Sequence, residues 1–183
     1  MTEQIITDFE KTIENLNLTN KKVELRRKNL DNFIKKGFPN RKVEEWKFSD
    51  LSQIISSNIK ELSFFNKTAD KLDFDESIIV KNFDHNKIIF VNGILSKVDF
   101  ESEEKNNIVI TENDDFELDF ETNNPLINLN SAFRSGYLKL TIKEGCTLNK
   151  PLIIYHIVNN KVSQKAINQK IDIVLENDSS LKI

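Results

Sequence analysis

The spacing of the apolar residues changes once along this chain, and that change limits the folds open to it. Up to about residue 66, apolar residues recur every three or four positions, as Ile5, Phe9 and Ile13 do, which is the period of an amphipathic α-helix. Further on they form short β-branched runs between turn residues, which is typical of buried strands. We therefore predict an α+β chain, with a helical amino-terminal domain at residues 1–66 and a mostly β domain at residues 67–183.

The helical domain is predicted to contain three helices. The first covers about residues 2–16, and the second runs from about residue 20 to residue 36. Gly37 and Pro39 follow a pair of lysines at the end of the second helix, and this combination is a helix stop signal. A short third helix through residues 51–55 can then be capped by Ser49 and Asp50.

The only tryptophan of the chain, Trp46, lies among charged residues between the second and third helices. Glu44 and Glu45 precede it directly, and adjacent side chains point in different directions, so these two carboxylates do not suit a shared acid–base site. We interpret the segment as structural or as an interface. In this interpretation Arg41 and Lys47 pair with the carboxylates while Trp46 fills a pocket.

The second domain is predicted to consist of short strands, which by pattern alone suit a sandwich, a barrel or a solenoid. The strand candidates lie at residues 78–80, 88–91, 137–142, 152–158 and 170–175, with another start at Leu181. Asn92 and Gly93 form a hairpin turn signal, and residues 128–133 are predicted to be a short helix or turn. Acidic residues dominate residues 99–121, which we predict to be a solvated loop with one edge strand at residues 116–120.

Few residues in the chain could carry chemistry. The single cysteine, Cys146, rules out an intrachain disulfide and an all-cysteine metal site within this sequence. His156 lies in an apolar strand candidate, so Cys146 and His156 are only weak candidates for metal ligands, and we favour packing as the role of both. The sequence has no phosphate-binding glycine loop and no serine elbow, so we predict no active site in this chain.

Charge and hydropathy limit the partners. The net charge of −3 argues against nucleic acid as the main partner, because phosphate-binding proteins usually carry a basic surplus. A basic cluster at residues 21–28 is interpreted as a solvated helix face. No apolar run approaches the ~20 residues of a membrane span, and the first residues lack the basic and apolar regions of a secretory signal. We therefore expect a cytoplasmic protein with no membrane or nucleic-acid partner.

Three segments occur in an order that one known family shares. They are Gly37-Phe38-Pro39-x-Arg41 with Glu44-Glu45-Trp46-Lys47-Phe48-Ser49-Asp50-Leu51, then an apolar run ending in Asn92-Gly93, then Asn128-Leu129-Asn130-Ser131-Ala132-Phe133 with Gly136 and Lys150-Pro151-Leu152. Together these segments resemble the SufB/SufD family, the scaffold subunits of the SUF system for iron–sulfur cluster assembly. Phe48 and Ser49 depart from the Tyr-Thr that the family usually has at those positions. The Trp46 segment fits the SufD branch better than the SufB branch.

The resemblance implies both a fold and a role. The family's middle region is a right-handed parallel β-helix, so residues 67–183 are expected to be its opening rungs, truncated at Ile183 in an amino-terminal fragment. The implied role is that of a non-enzymatic scaffold subunit acting with a SufB-like subunit and a SufC-like ABC ATPase, with a sulfur-donor protein as a further candidate partner. A transient iron–sulfur cluster would belong to the assembled complex. This chain is expected to hold no cofactor, because the family's cluster-related Cys and His residues would lie beyond Ile183.

A second hypothesis follows from the strand pattern without the resemblance. The chain could be a stand-alone β-solenoid or sandwich binding module, or a carbohydrate-acting enzyme with a helical cap. Enzymes of that kind line a groove with carboxylates, whereas the acids of this chain cluster in residues 99–121. An assay against polysaccharides discriminates between the two hypotheses.

Overall fold

The computed structural model describes residues 2–16, 18–59, 62–64, 74–102, 104–112, 122–159, 162 and 164–183. The elements in chain order are helices α1 (Thr2–Asn15) and α2 (Asn20–Lys36), a 3₁₀ turn (Glu44–Trp46), α3 (Leu51–Asn58), a second 3₁₀ turn (Glu76–Ile78), strands β1 (Asn86–Val91) and β2 (Ile94–Asp99), a third 3₁₀ turn (Lys105–Asn107), β3 (Ile108–Thr111), α4 (Pro125–Phe133), β4 (Gly136–Ile142), β5 (Leu152–Ile157) and β6 (Gln169–Leu175). The expected edge strand at residues 116–120 lies outside the described residues.

The described residues group into two compact units. The helical unit comprises those within Met1–Lys67, Asp115–Ser135 and Ser163–Asn168, and the β unit comprises those within Thr68–Asp114, Gly136–Val162 and Gln169–Ile183. The helical unit therefore takes in α4, which follows the first three strands in sequence. Each unit has its own buried apolar core.

The core of the helical unit is built from aromatic rings around Phe133 of α4. The ring of Phe133 meets that of Phe9 edge-on at 5.8 Å between centroids and that of Phe64 at 4.6 Å. Two buried polar groups tie the surrounding chain to this core. The carboxylate of Asp8 accepts a hydrogen bond from the backbone N–H of Phe64 at 2.8 Å, and Arg26 donates to the carbonyl oxygen of Ala132 at 3.0 Å. Arg26 is thus buried, although the basic cluster that contains it was predicted to be a solvated face.

The helix ends follow the local signals in the sequence. Gly37 has φ of +68°, a conformation that favours glycine, and its N–H donates to the carbonyl of Phe33, which ends α2 as predicted. The carboxylate of Asp50 accepts a hydrogen bond from the N–H of Gln53 and caps α3. Asn124 caps α4 in the same way, and Pro125 occupies its first turn.

The β unit contains two three-stranded sheets, in the orders β2-β1-β5 and β3-β4-β6. In each sheet the central strand has one antiparallel and one parallel neighbour. One shared core includes Ile88 and Phe90 of β1, Leu138 and Leu140 of β4, and Leu152 of β5. The two sheets therefore bury their apolar faces against a common interior.

The hairpin between β1 and β2 turns at Asn92 and Gly93, as predicted. Both residues have positive φ, 53° and 83°, which is the type I′ conformation that joins strands with a right-handed twist. The carbonyl oxygen of Gly93 lies close to Gly136, where an added Cβ would be only 3.0 Å from that oxygen. A glycine at position 136 therefore suits the close approach of the hairpin to the start of β4.

The expected right-handed parallel β-helix is wrong for the residues that the structure describes. The two-residue turn at Asn92-Gly93 can join only antiparallel strands, so β2 occupies one edge of β1 in antiparallel orientation. β3 occupies one edge of β4 in the same orientation. Parallel pairing is limited to β1 with β5, β4 with β6 and single bridges such as Thr147 with Ser180, and the described strands do not close into a solenoid. The chain is α+β, with two small mixed sheets.

Two strand-level predictions also differ from the structure. The candidate at residues 78–80 is not a strand, because a 3₁₀ turn ends at Ile78 and the side chains of Ile78 and Val80 are exposed. Conversely, residues 99–121 were predicted to be mainly loop, yet they contain β3. That strand pairs with β4 from Ile108 to Thr111. Acidic composition alone did not reveal the alternating apolar residues that face the core.

Candidate interaction surface

The segment after α2 is anchored at its two ends. Phe38 packs against Phe33 of α2, with ring centroids 5.0 Å apart and planes at 75°. Pro39 is buried, and its carbonyl oxygen accepts a hydrogen bond from the N–H of Ser52 at 3.2 Å in the first turn of α3. These contacts fix residues 40–50, which we call the Trp46 segment, between two helices of the helical unit.

The Trp46 segment is held mainly by local hydrogen bonds. The side chain of Asn40 accepts from the N–H of Lys42, and the N–H of Trp46 donates to the carbonyl of Val43 at 2.8 Å. Trp46 is half-buried. Phe48 is 88% exposed, and the side chain of Val43 is also exposed. The fold therefore orders this segment while leaving its apolar side chains at the surface.

The charges of the Trp46 segment are only partly paired. Lys47 Nζ lies 3.0 Å from Glu44 Oε1 and 5.3 Å from the centroid of the Phe48 ring. Arg41 and Glu45 are exposed, and neither makes a hydrogen bond or an ion pair with any other part of the chain that the structure describes. Arg41 lines a shallow depression of about 510 Å³, together with Asn40, Lys42, Asp50, Ser52, Gln53 and Ser56. An ordered surface with an exposed ring and unpaired charges is suited to protein contact.

The other residues that carry the family resemblance lie in the framework of the two units. Asn130 is in α4, where its carbonyl accepts the N–H of Arg134. Asn92 holds the hairpin to the end of β5, because its side chain exchanges hydrogen bonds with Asn159 at 2.9 and 3.1 Å. The carbonyl of Pro151 accepts the N–H of Asn86 at 2.9 Å, which aligns the starts of β5 and β1. These residues, with Gly93 and Gly136, have structural roles.

Cys146 and His156 lie in different surroundings. Cys146 is a free thiol buried in the core of the β unit. His156 is exposed, and its ring stacks on Phe90 at 5.3 Å between centroids. Within the described residues, no group of three or more His, Cys, Asp and Glu side chains is placed to hold a metal ion.

A buried polar network in the β unit could not be read from the sequence. Glu104 is only 5% exposed, and its two oxygens accept hydrogen bonds from Asn86 Nδ2 at 2.8 Å and from the N–H of Asn149 at 2.6 Å. Beside it, Lys150 Nζ lies 2.8 Å from carboxylate oxygens of both Asp84 and Glu101. The hydrogen bonds that Lys150 donates to Asp84 and then to Glu101 raise the pKa of Lys150 above its ordinary range. The network joins the starts of β1 and β5 to the turn that follows β2.

No protein-family model matches this chain, and no curated protein matches it. Among the helices that the structure describes, none combines the length and the apolar character needed to cross a bilayer.

Proposed function

We propose that this chain is a non-enzymatic scaffold subunit of the SufD type, which supports iron–sulfur cluster assembly in the cytoplasm together with a SufB-like subunit and a SufC-like ABC ATPase. The observation that carries the proposal is the exposure of the Trp46 segment, the part of the sequence with the fullest resemblance to the SufB/SufD family. An exposed Phe48 adds little to the stability of its own unit, whereas it can serve as an anchor in a complex. In this proposal the cluster belongs to the assembled complex, and this chain contributes docking and architecture.

The arrangement of the acids favours this proposal over the carbohydrate-acting alternative. Glycoside hydrolases need two carboxylates that flank the substrate, one of them free to give a proton and the other to act as base or nucleophile. Asp84 and Glu101 converge in the β unit, but both bind the ammonium group of Lys150. Each carboxylate therefore already has a partner within the fold, which suits a structural role.

The test is co-purification of the tagged, full protein from its own cells under mild conditions, with its companions identified by mass spectrometry. We expect a SufB-like subunit and a SufC-like ATPase in stoichiometric amounts. The double variant Arg41→Ala/Phe48→Ala should reduce their recovery by about tenfold, since truncating an interface anchor typically costs over 1 kcal/mol. Ile127→Ala is the matched control, because Ile127 is an exposed apolar residue of the same unit outside the Trp46 segment.

The outcomes separate the parts of the proposal. Absence of both partners from the wild-type preparation would overturn the scaffold function. Recovery of both partners with the double variant as well as with wild type would keep the function but move the docking surface away from the Trp46 segment. Hydrolysis of a polysaccharide by the purified protein would favour the alternative.

A further inference from the structure

The β unit has a cleft on the side of β1 that faces away from the shared core. Ile89 lies on this side, because its neighbours Ile88 and Phe90 point into the core. The cleft is also lined by three apolar residues of the preceding segment, Ile79, Val80 and Phe83. The cavity measures about 230 Å³. Typical small-molecule pockets are roughly 300–1,000 Å³, so this cleft is small for a cofactor and of the order of one large side chain.

A buried histidine makes the wall of this cleft rigid. His85 is 5% exposed, and its Nδ1 lies 2.6 Å from the carbonyl oxygen of Phe83. Because a carbonyl only accepts, Nδ1 donates this bond, and in the neutral ring Nε2 then accepts from the hydroxyl of Tyr155 at 2.7 Å. The same hydroxyl oxygen accepts from the N–H of Val80 at 3.3 Å. The segment that precedes β1 in sequence is thus held to β5 through Tyr155.

The rim of the cleft exposes apolar surface. Phe83 is 50% exposed, and its ring stacks on His85 with centroids 5.6 Å apart and planes at 20°. Ile78 and Val80 are also about half exposed. These three side chains come from one short segment that precedes β1, and Val80 and Phe83 line the cavity itself.

The charge at the rim is mainly positive. Lys81 and Lys97 line the cleft, and neither amine has a carboxylate partner among the residues that the structure describes. Lys87 also lines it and lies 3.5 Å from Asp99. The carboxylate of Asp84 is held by Lys150, which leaves Glu76 as the other acid along the lining. A partner that matched this rim would be acidic.

We infer that this cleft is a docking site for an acidic segment of a partner protein, which inserts one large apolar side chain against Val80 and Phe83 while its carboxylates meet Lys81 and Lys97. The small volume favours one anchor side chain over a cofactor, and the unpaired amines give the selectivity for acids. The site lies in the β unit and is independent of the Trp46 segment and of the proposed function.

The test measures binding of a fluorescently labelled short peptide of Asp and Glu with one central Phe to the full chain, by fluorescence anisotropy at low salt. Three comparisons are made. Replacing the Phe of the peptide by Ala should weaken binding by about tenfold, as should Phe83→Ala in the protein. Lys81→Gln/Lys97→Gln should weaken it by roughly threefold to tenfold and reduce its salt dependence. Lys139→Gln, an exposed lysine of β4, is the control and should leave binding unchanged.

Each result decides the inference. Loss of binding in both the Phe83 and the lysine variants, with the control intact, supports it. Absence of binding, or binding that ignores the Phe of the peptide, overturns it, because attraction by surface charge alone would then explain the signal. Competition by benzoate or inorganic phosphate, with no effect of the central Phe, would assign the cleft to a small anion instead. The lysine variants keep the floor of the cleft, so they remain informative even where Phe83→Ala lowers stability.

Discussion

Replacing Asn86 by Ala should destabilise the β unit strongly, because this one side chain joins three segments. Asn86 is 1% exposed. Its Nδ2 donates to Glu104 Oε2 at 2.8 Å and to the carbonyl of Lys150 at 3.1 Å, and its Oδ1 accepts the N–H of Glu101 at 3.1 Å. Alanine keeps the backbone of β1 and removes all three bonds.

The size of the effect can be worked out from burial. The bond from Asn86 to the carboxylate of buried Glu104 is the strongest of the three, because a hydrogen bond to a carboxylate contributes about 1.5–3 kcal/mol to stability. The bonds to Lys150 and Glu101 are to half-buried groups that can recover part of their hydrogen bonding from water, so each contributes at most about 1 kcal/mol. We expect the free energy of unfolding of the β unit to fall by about 3 kcal/mol, roughly a hundredfold in the opening equilibrium.

Hydrogen exchange measures this effect for the β unit alone. The amides of β1 and β5, such as those of Phe90 and Ile154, report on opening of the β unit. Unfolding followed by a whole-chain signal such as circular dichroism would also contain the helical unit. These amides should exchange roughly a hundred times faster in Asn86→Ala. Asn106→Ala is the matched control, since Asn106 is exposed and contributes only its backbone carbonyl to Lys143.

A double-mutant cycle gives the sharper refutation. If Asn86 acts through Glu104, the double variant Asn86→Ala/Glu104→Ala should be less unstable than the sum of the single variants by about 1–3 kcal/mol. The reasoning fails if Asn86→Ala resembles the Asn106 control, or if the two single effects simply add. In either case the contacts between these side chains would not be the source of the stability.

Two smaller effects are also expected. Gly136→Ala should lower the stability of the β unit by about 1 kcal/mol, measured by urea unfolding. The steric cost of a Cβ 3.0 Å from the carbonyl oxygen of Gly93 should exceed the stabilisation gained from a stiffer unfolded chain. Increased stability of this variant would refute the close approach. Glu10→Gln should cost less than about 1 kcal/mol at neutral pH, since Glu10 and Arg27 form an exposed ion pair at 2.6 Å. The hydrogen bond from Arg27 lowers the pKa of Glu10 below 4.5. The stabilisation by this ion pair is therefore present above pH 4.5 and is lost as the pH falls through the lowered pKa, which stability curves at several pH values will show. A difference in stability between Glu10→Gln and wild type that persists in strong acid would contradict the pairing.

Short-range signals predicted the local structure well. The stop at Gly37, the cap at Asp50 and the hairpin at Asn92-Gly93 each depend on residues within one turn of each other, so the sequence contains all the necessary information. The exposure of Phe48 had no such signal, because whether an aromatic residue is buried depends on which elements reach it.

Long-range pairing could not be predicted in the same way. Asn86 meets the carbonyl of Lys150 across 64 positions, and Arg26 meets that of Ala132 across 106 positions. Arg26 was predicted to lie on a solvated face because its neighbours in sequence are basic, but burial followed from the packing of α2 on α4. The β-helix prediction failed for a related reason. Short apolar runs specify strands without specifying whether their neighbours are parallel or antiparallel.

The residues that build the two units differ from those assigned to partner contact, and this difference makes the proposals separable by experiment. Asn86 and Gly136 are fixed by contacts within the β unit, so their substitution should change stability. Phe48 and Lys97 are exposed and make few contacts of this kind, so their substitution should change binding at nearly constant stability. A variant at Phe48 that loses its partners while retaining wild-type hydrogen exchange would therefore show that the surface itself, and not the integrity of the fold, carries the interaction.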